Sequence, residues 1–271
     1  MFLVKFLLLN VFILVMQIPY SGSFLRLTTS KYKTFSIIQN KMFSGIIEEI
    51  AQCKSLFKSN SIILWDGSVS EGVELIVKLN SDSNILTDAY IGCSISVNGV
   101  CLTATSINHE SNEFTVGLAP ETLRKTNLKS LETGSPVNIE RAMKFDARNS
   151  GHFVQGHVDC TGEIIEKYQE LDSLWFKVKL PEEIIKFINI KGFIAVDGTS
   201  LTICDVNILD SWFTFMLIPH TQQNVIIPKK NIGDHVNIEV DILAKMVDRS
   251  FNGIYERLLN IEKSILSKDT K

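Results

Sequence analysis

His157 closes the run Gly151-His152-Phe153-Val154-Gln155-Gly156-His157. An imidazole titrates near neutrality and can pass protons, and the glycine before it lets another group come close. The competing reading is a histidine bonded within the fold. Cys101 and Ser200 carry nucleophilic atoms, and Lys191 and Asp241 each carry a charge. Taken singly these are weak signals, because a lone cysteine is usually packing and a lone lysine usually solvated. Their place in an internal repeat gives them weight.

Residues 95–103 read ISVNGVCLT and residues 194–202 read IAVDGTSLT, so Ile95, Val97, Gly99, Leu102 and Thr103 recur ninety-nine positions later. The offset persists from Leu118-Ala119-Pro120-Glu121-Thr122 to Leu217-Ile218-Pro219-His220-Thr221, and from Val137-Asn138-Ile139-Glu140 to Val236-Asn237-Ile238-Glu239. This period is too long for a solenoid unit and fits a small domain. Two similar domains can present two similar pockets. Positions that only build the fold belong in both copies, whereas chemistry can sit in one. Gly99 and Gly198, Leu102 and Leu201, and Pro120 and Pro219 are shared and read as architecture or common pocket wall. Thr103 and Thr202 are shared hydroxyls that could serve either purpose. The unshared positions set His157 against Ile46, Lys191 against Gly92, Phe193 against Ser94, Ser200 against Cys101 and Asp241 against Ala142. His109 and His235 lie in polar turns and read as surface residues.

Composition excludes several classes. With 27 Lys plus Arg against 30 Asp plus Glu, there is no basic excess to neutralise a nucleic-acid backbone. The five cysteines, Cys53, Cys93, Cys101, Cys160 and Cys204, show neither a disulfide framework nor zinc spacing, and four of them read as small buried hydrophobes in a reducing compartment. Neither H-x-x-x-H, H-x-E nor a glycine-rich phosphate loop occurs, so no metal or nucleotide is expected.

The first 41 residues differ from the rest. Lys5 precedes the apolar run from Phe6 to Met16, which has signal-peptide length and is short for a membrane span. Ser21-Gly22-Ser23 offers a cleavage site, and Arg26, Lys31, Lys33 and Lys41 follow with many hydroxyls and no acid before Glu48. A signal followed by a transit-like stretch is the form of a two-part plastid leader, with secretion or another organelle as the alternative; no membrane attachment is expected of the mature form.

From Met42 onward alternating apolar runs call for strands: 73–79, 95–97, 113–116, 137–140, 175–180 and 212–216, punctuated by Asn98-Gly99 and Asp197-Gly198 turns. Several short strands per repeat imply a small closed barrel. The first repeat holds about a dozen extra residues, expected on a loop within Ser55–Gly72 that includes Trp65-Asp66-Gly67. After Asp241, Val247, Phe251, Ile254, Leu258, Ile261 and Ile265 step as a heptad seam, which reads as a helix for subunit association or as one packed on its own barrel.

Met42-Phe43-Ser44-Gly45-Ile46, Asn98 to Thr103, Glu121-Thr122-Leu123-Arg124, Gly151 to Val158, Lys191-Gly192-Phe193, Asp197 to Thr202 and Val236 to Asp241 together resemble the riboflavin synthase family, alpha-chain type. The resemblance spans about residues 42 to 245. It implies a mostly β fold of two tandem six-stranded Greek-key barrels plus a C-terminal helix: leader 1–41, barrels 42–141 and 142–241, and a trimerisation helix 242–271. It also implies a cofactor-free dismutation of two 6,7-dimethyl-8-ribityllumazine molecules, in which a four-carbon unit passes from one to the other.

By the same resemblance Phe43, Ser94, Cys101, Ser200, Thr202, Asp241 and His157 are expected at the chemistry, with His157 as proton shuttle and Cys101 or Ser200 as nucleophile or its positioner. Gly45, Ile46, Ile47, Val100, Leu102, Thr103 and the run Gly117, Leu118, Ala119, Pro120, Glu121, Thr122 are expected to wall the first pocket. Gly156, Val158, Lys191, Leu201 and the run Leu217, Ile218, Pro219, His220, Thr221, Gln222 are expected to wall the second. His220 departs from the family's Pro-Glu-Thr. The rival is a non-catalytic antenna protein of the same fold, which holds a lumazine or flavin and performs no chemistry.

Overall fold

Alternation drives the strands into a closed six-stranded barrel and a curled seven-stranded half-barrel. The computed structural model describes residues 42–63, 69–144, 146–253 and residue 255. Strands β1 (Glu49–Ile63), β2 (Val69–Lys78), β3 (Ser94–Val97), β4 (Val100–Asn108), β5 (Glu113–Leu118) and β6 (Pro136–Arg141) close a barrel in the order β1-β2-β5-β4-β3-β6. In β4, Val100, Leu102 and Ala104 face the core while Cys101 and Thr103 face outward, as the two-residue period requires.

The second repeat supplies β7 (Cys160–Glu170), β8 (Ser173–Lys179), β9 (Phe193–Val196), β10 (Thr199–Thr202), β11 (Asp205–Asn207), β12 (Trp212–Leu217) and β13 (His235–Val240), in the order β10-β9-β13-β7-β8-β12-β11. The order is that of the first barrel opened within one strand, which leaves a curled half-barrel with β10 and β11 at its edges. The continuous β4 corresponds to β10 and β11, separated at Ile203-Cys204, and Cys204 N–H still reaches Thr214 O at 2.8 Å. A separate core fills it, from Ile164 and Phe176 to Val240.

The barrels meet at their matched turns. Asn98 and Gly99 have φ of 49° and 78°, and Asp197 and Gly198 have 43° and 80°, so each pair forms a tight turn with both residues left-handed. The turns abut so closely that a Cβ on Gly99 would lie 2.5 Å from Gly198 N. Around them is a buried polar seam with pseudo-twofold symmetry. Asn237 donates through Nδ2 to Asn98 O and accepts at Oδ1 from Asn127 N–H, while Asn138 donates through Nδ2 to Asp197 O and accepts at Oδ1 from Ile226 N–H. Asp197 is fully buried, accepts from Asn127 Nδ2 and Asn237 N, and pairs with Lys230 Nζ at 2.9 Å.

Two expectations are corrected. The extra residues of the first repeat are not a loop: they lengthen β1 and β2 into a hairpin arm, paired from Gln52↔Lys78 to Ile63↔Val69, because alternation continues through Leu56, Val73 and Leu75. Trp65-Asp66-Gly67 falls outside the described residues. Four cysteines were expected as small buried hydrophobes, but only Cys53 is fully buried. The end of the chain turns helical over 242–253, with Leu243, Met246, Val247 and Phe251 more than half exposed. Ile254, Leu258, Ile261 and Ile265 of the seam, and the leader, lie outside the described residues. His109 and His235 are exposed, as read. Among the described residues no helix is long and apolar enough to cross a membrane.

Candidate active site

Each repeat begins with a short segment that leaves its own barrel and docks on the other. Phe43 and Val154, corresponding residues of the two segments, form an antiparallel bridge across the interface, with N–H···O distances of 2.7 and 3.1 Å. Gly45 O then accepts from Ser200 N–H at 2.8 Å, and Gly156 O from Cys101 N–H at 2.9 Å. Both glycines have φ of 76°, and a Cβ on either would lie 2.6 Å from the Cβ of its partner, so backbone touches backbone here only because no side chain intervenes. Ile47 packs on the second core and Val158 on the first. The unshared pair Cys101 and Ser200 is thereby gripped in the same way, each by the other repeat's opening segment.

Ser200 has an additional partner. His152 Nδ1 lies 2.7 Å from Ser200 Oγ, the imidazole stacks on Phe193 at 5.2 Å, and the backbone N–H of His152 donates to Ser44 O at 3.1 Å. Only 6% of His152 is exposed, and its Nε2 finds no partner among the described residues. Burial pushes this imidazole below its usual range, opposed by the charge of Asp241, so a neutral ring faces the hydroxyl. Composition and repeat logic singled out His157 instead. His157 is exposed and is held through its backbone N–H by Glu239. The missed signal was the neighbouring Gly151, on which a Cβ would lie 2.0 Å from Ser44 O and 2.9 Å from Ser200 Cβ.

Strand alternation sorts the expected walls. Val100, Leu102, Leu118, Leu201 and Leu217 point their side chains into the two cores and leave only backbone on the outer face. Their alternates face outward: Ser94 opposite Thr103 in the first barrel, Phe193 opposite Thr202 in the second. Pro120 and Pro219 start short helices, Pro120–Lys125 and Pro219–Asn224, which carry Thr122, Thr221 and Gln222. Glu121 is paired with Arg124 at 2.5 Å on the surface, and its counterpart His220 is exposed. Asp241 caps the C-terminal helix by accepting from Leu243 N–H at 3.0 Å. Burial drives the Cys160 thiol up to about 12 and raises those of Cys53 and Cys93, which removes these three as thiolates. No group of metal-binding side chains occurs among the described residues.

The model of the lumazine binding domain matches residues 44–142 and again 155–241. The riboflavin synthase of Saccharomyces cerevisiae is 43% identical over 232 residues, covering 84% of this chain and 92% of that protein. That of Bacillus subtilis is 39% identical over 230 residues, covering 84% and 99%. The chain belongs to the lumazine-binding riboflavin synthase family. Structures of LumP complexed with 6,7-dimethyl-8-(1'-D-ribityl) lumazine and with riboflavin share the family fold, with TM-scores of 0.61 and 0.63, 21% and 20% identity, 74% of this chain covered by each, and 99% and 100% of those chains.

The two repeats differ in size at matched positions around Cys101 and Ser200. The first repeat has Gly92, Ser94, Gly117 and Ala119 where the second has Lys191, Phe193, Met216 and Ile218. The large set is exposed: 49% for Phe193, 36% for Met216 and 49% for Ile218. Lys191 also holds a left-handed φ of 66°, at the position where Gly92 has 94°. A side chain kept at a position suited to glycine is a strained feature of the kind that collects at functional sites.

Proposed function

We propose that this chain is a riboflavin synthase, a transferase of the last step of riboflavin biosynthesis, which dismutates two 6,7-dimethyl-8-ribityllumazine molecules. One molecule gives up a four-carbon unit and leaves as 5-amino-6-ribitylamino-uracil, and the other becomes riboflavin. The observation that carries this reading is the duplicated clasp: two copies of one binding domain present Cys101 and Ser200 at equivalent points with unequal surroundings, as a reaction between two identical molecules in unequal roles requires. The 7-methyl protons of a lumazine are acidic because the carbanion delocalises into the ring, so a modest base suffices. Holding two rings face to face does most of the work, since it turns a dilute encounter into a local reaction. The small floor of the first barrel has room for a flat ring. Phe193, Met216 and Ile218 of the second offer an apolar face to press against one, with Lys191 and Thr202 beside them for polar atoms. His152 or His157 moves protons, and no cofactor is called for.

Three finer readings belong to the same proposal. The two pockets that react together come from neighbouring subunits. Three copies associate through the C-terminal helix, whose first turns leave Leu243, Met246, Val247 and Phe251 uncovered while Lys245–Asp159 and Lys186–Asp248 ion pairs tether the helix to its own barrel. Residues 1–41 form a two-part plastid leader, a reading supported by their sequence alone; a fluorescent fusion of this segment that reaches the medium would defeat it. The antenna alternative is disfavoured by the synthase names of the relatives at 39–43% identity. Anaerobic incubation of residues 42–271 with the lumazine and no added cofactor decides between them. Riboflavin should form, more slowly with His157→Ala and Cys101→Ser; bound fluorescence without riboflavin would end the enzyme reading.

A further inference from the structure

Glu140 and Glu239 close the shared Val-Asn-Ile-Glu runs and are nearly buried at 4% and 3% exposure. A buried carboxylate must be met by donors. Here the donors are the opening segments. Glu140 accepts from Ser44 N–H at 2.7 Å, Ser44 Oγ at 2.8 Å and Gly45 N–H at 3.1 Å, while Glu239 accepts from Gln155 N–H at 2.6 Å and His157 N–H at 2.7 Å. Each carboxylate thus pins the segment of its own repeat, and that segment continues to the other barrel. From Glu140 the contacts run through Ser44 O to His152 and through Gly45 O to Ser200. From Glu239 they run through Gly156 O to Cys101.

We propose that Glu140 and Glu239 are positioning residues for the reaction and that they act crosswise: Glu140 in the first repeat aligns Ser200 and His152 of the second, and Glu239 in the second repeat aligns Cys101 of the first. The reaction itself is the one proposed above, and the test separates the two. Glu→Gln keeps the shape but turns one acceptor into a donor aimed at a backbone N–H, which loosens the segment without emptying the space.

The experiment uses the full chain as wild type, E140Q, E239Q and C101S, the last also combined with each glutamine variant. It measures kcat and KM for the lumazine and the rate at which dithionitrobenzoate modifies the Cys101 thiol, taken as the signal that C101S removes. Both glutamine variants should lower kcat about tenfold or more while KM changes little, as expected when reacting groups are misplaced rather than binding lost. E239Q should speed Cys101 modification several-fold and E140Q should leave it at the wild-type rate. E239D, which keeps both acceptors, should restore part of kcat and of thiol protection. Equal thiol rates in E140Q and E239Q, or an unchanged kcat in both, would overturn the crosswise assignment. A wild type that makes no riboflavin would instead overturn the activity, and the thiol rates would still decide the clasp.

Discussion

At the scale of single residues, the site is built from contacts that leave no room for a side chain. Gly45→Ala would force a Cβ to within 2.6 Å of Ser200 Cβ at a φ of 76°, so a loss of about 1–3 kcal/mol in denaturant unfolding is expected, with a larger proportional fall in turnover. Unfolding at wild-type stability with normal turnover would show that the Gly45–Ser200 contact is dispensable. Glu140 gives a pH signature. Burial raises its carboxyl from 4.5 to about 7, against the pull of the Ser44 and Gly45 donors, so the folded state favours the protonated form. The stability this contributes is fully present below 4.5 and is lost as pH rises through about 7. Glu239 is raised in the same direction, while the lowered His152 works with the opposite sign. The stability advantage of wild type over Glu140→Gln should therefore shrink as pH rises across that window, and a constant difference would contradict the shift. His152 itself was legible only as part of a motif, because nothing in spacing tells which of two nearby histidines faces inward.

At the scale of elements, Lys191 stands where the equivalent turn before β3 uses Gly92. A left-handed lysine costs about 1 kcal/mol, partly offset in a glycine variant by the entropy the unfolded chain gains. Lys191→Gly is expected to leave stability unchanged or raise it by at most about 1 kcal/mol while turnover of the lumazine falls. A variant that is both less stable and fully active would mean the lysine is merely structural. The strands themselves were readable, since the apolar alternation in 113–116 and 212–216 lies within β5 and β12, and that in 73–79 runs one residue past the end of β2. The hairpin arm was not, because length arithmetic reveals an insertion but not whether its two halves pair. The break of β10 from β11 was equally invisible, as Thr202-Ile203-Cys204 has no turn signal.

At the scale of the whole molecule, the exposed Leu243, Met246, Val247 and Phe251 make the proposed association through the C-terminal helix testable. Ending the chain after Met246 should lower the mass in solution and the turnover together, measured by light scattering and the lumazine assay. A truncated monomer with full activity would sink the shared-site reading. Mixing one protein inactivated at Cys101 with another inactivated at Ser200 should restore part of the activity once subunits exchange, because some junctions then pair two intact pockets.

The sequence by itself determined the duplication, the strand pattern and the paired Asn-Gly and Asp-Gly turns, since these follow from local periodicity and from comparing two copies of one text. Only the tertiary structure decided which barrel each opening segment serves. Phe43 to Ile47 and His152 to Val158 are too short to carry a face of their own. They go to whichever surface offers a backbone partner and a glycine-sized gap, and that surface belongs to the other repeat. The exchange places Cys101 and Ser200 at matching points of a symmetric interface, while large and small residues around them make the two pockets unequal.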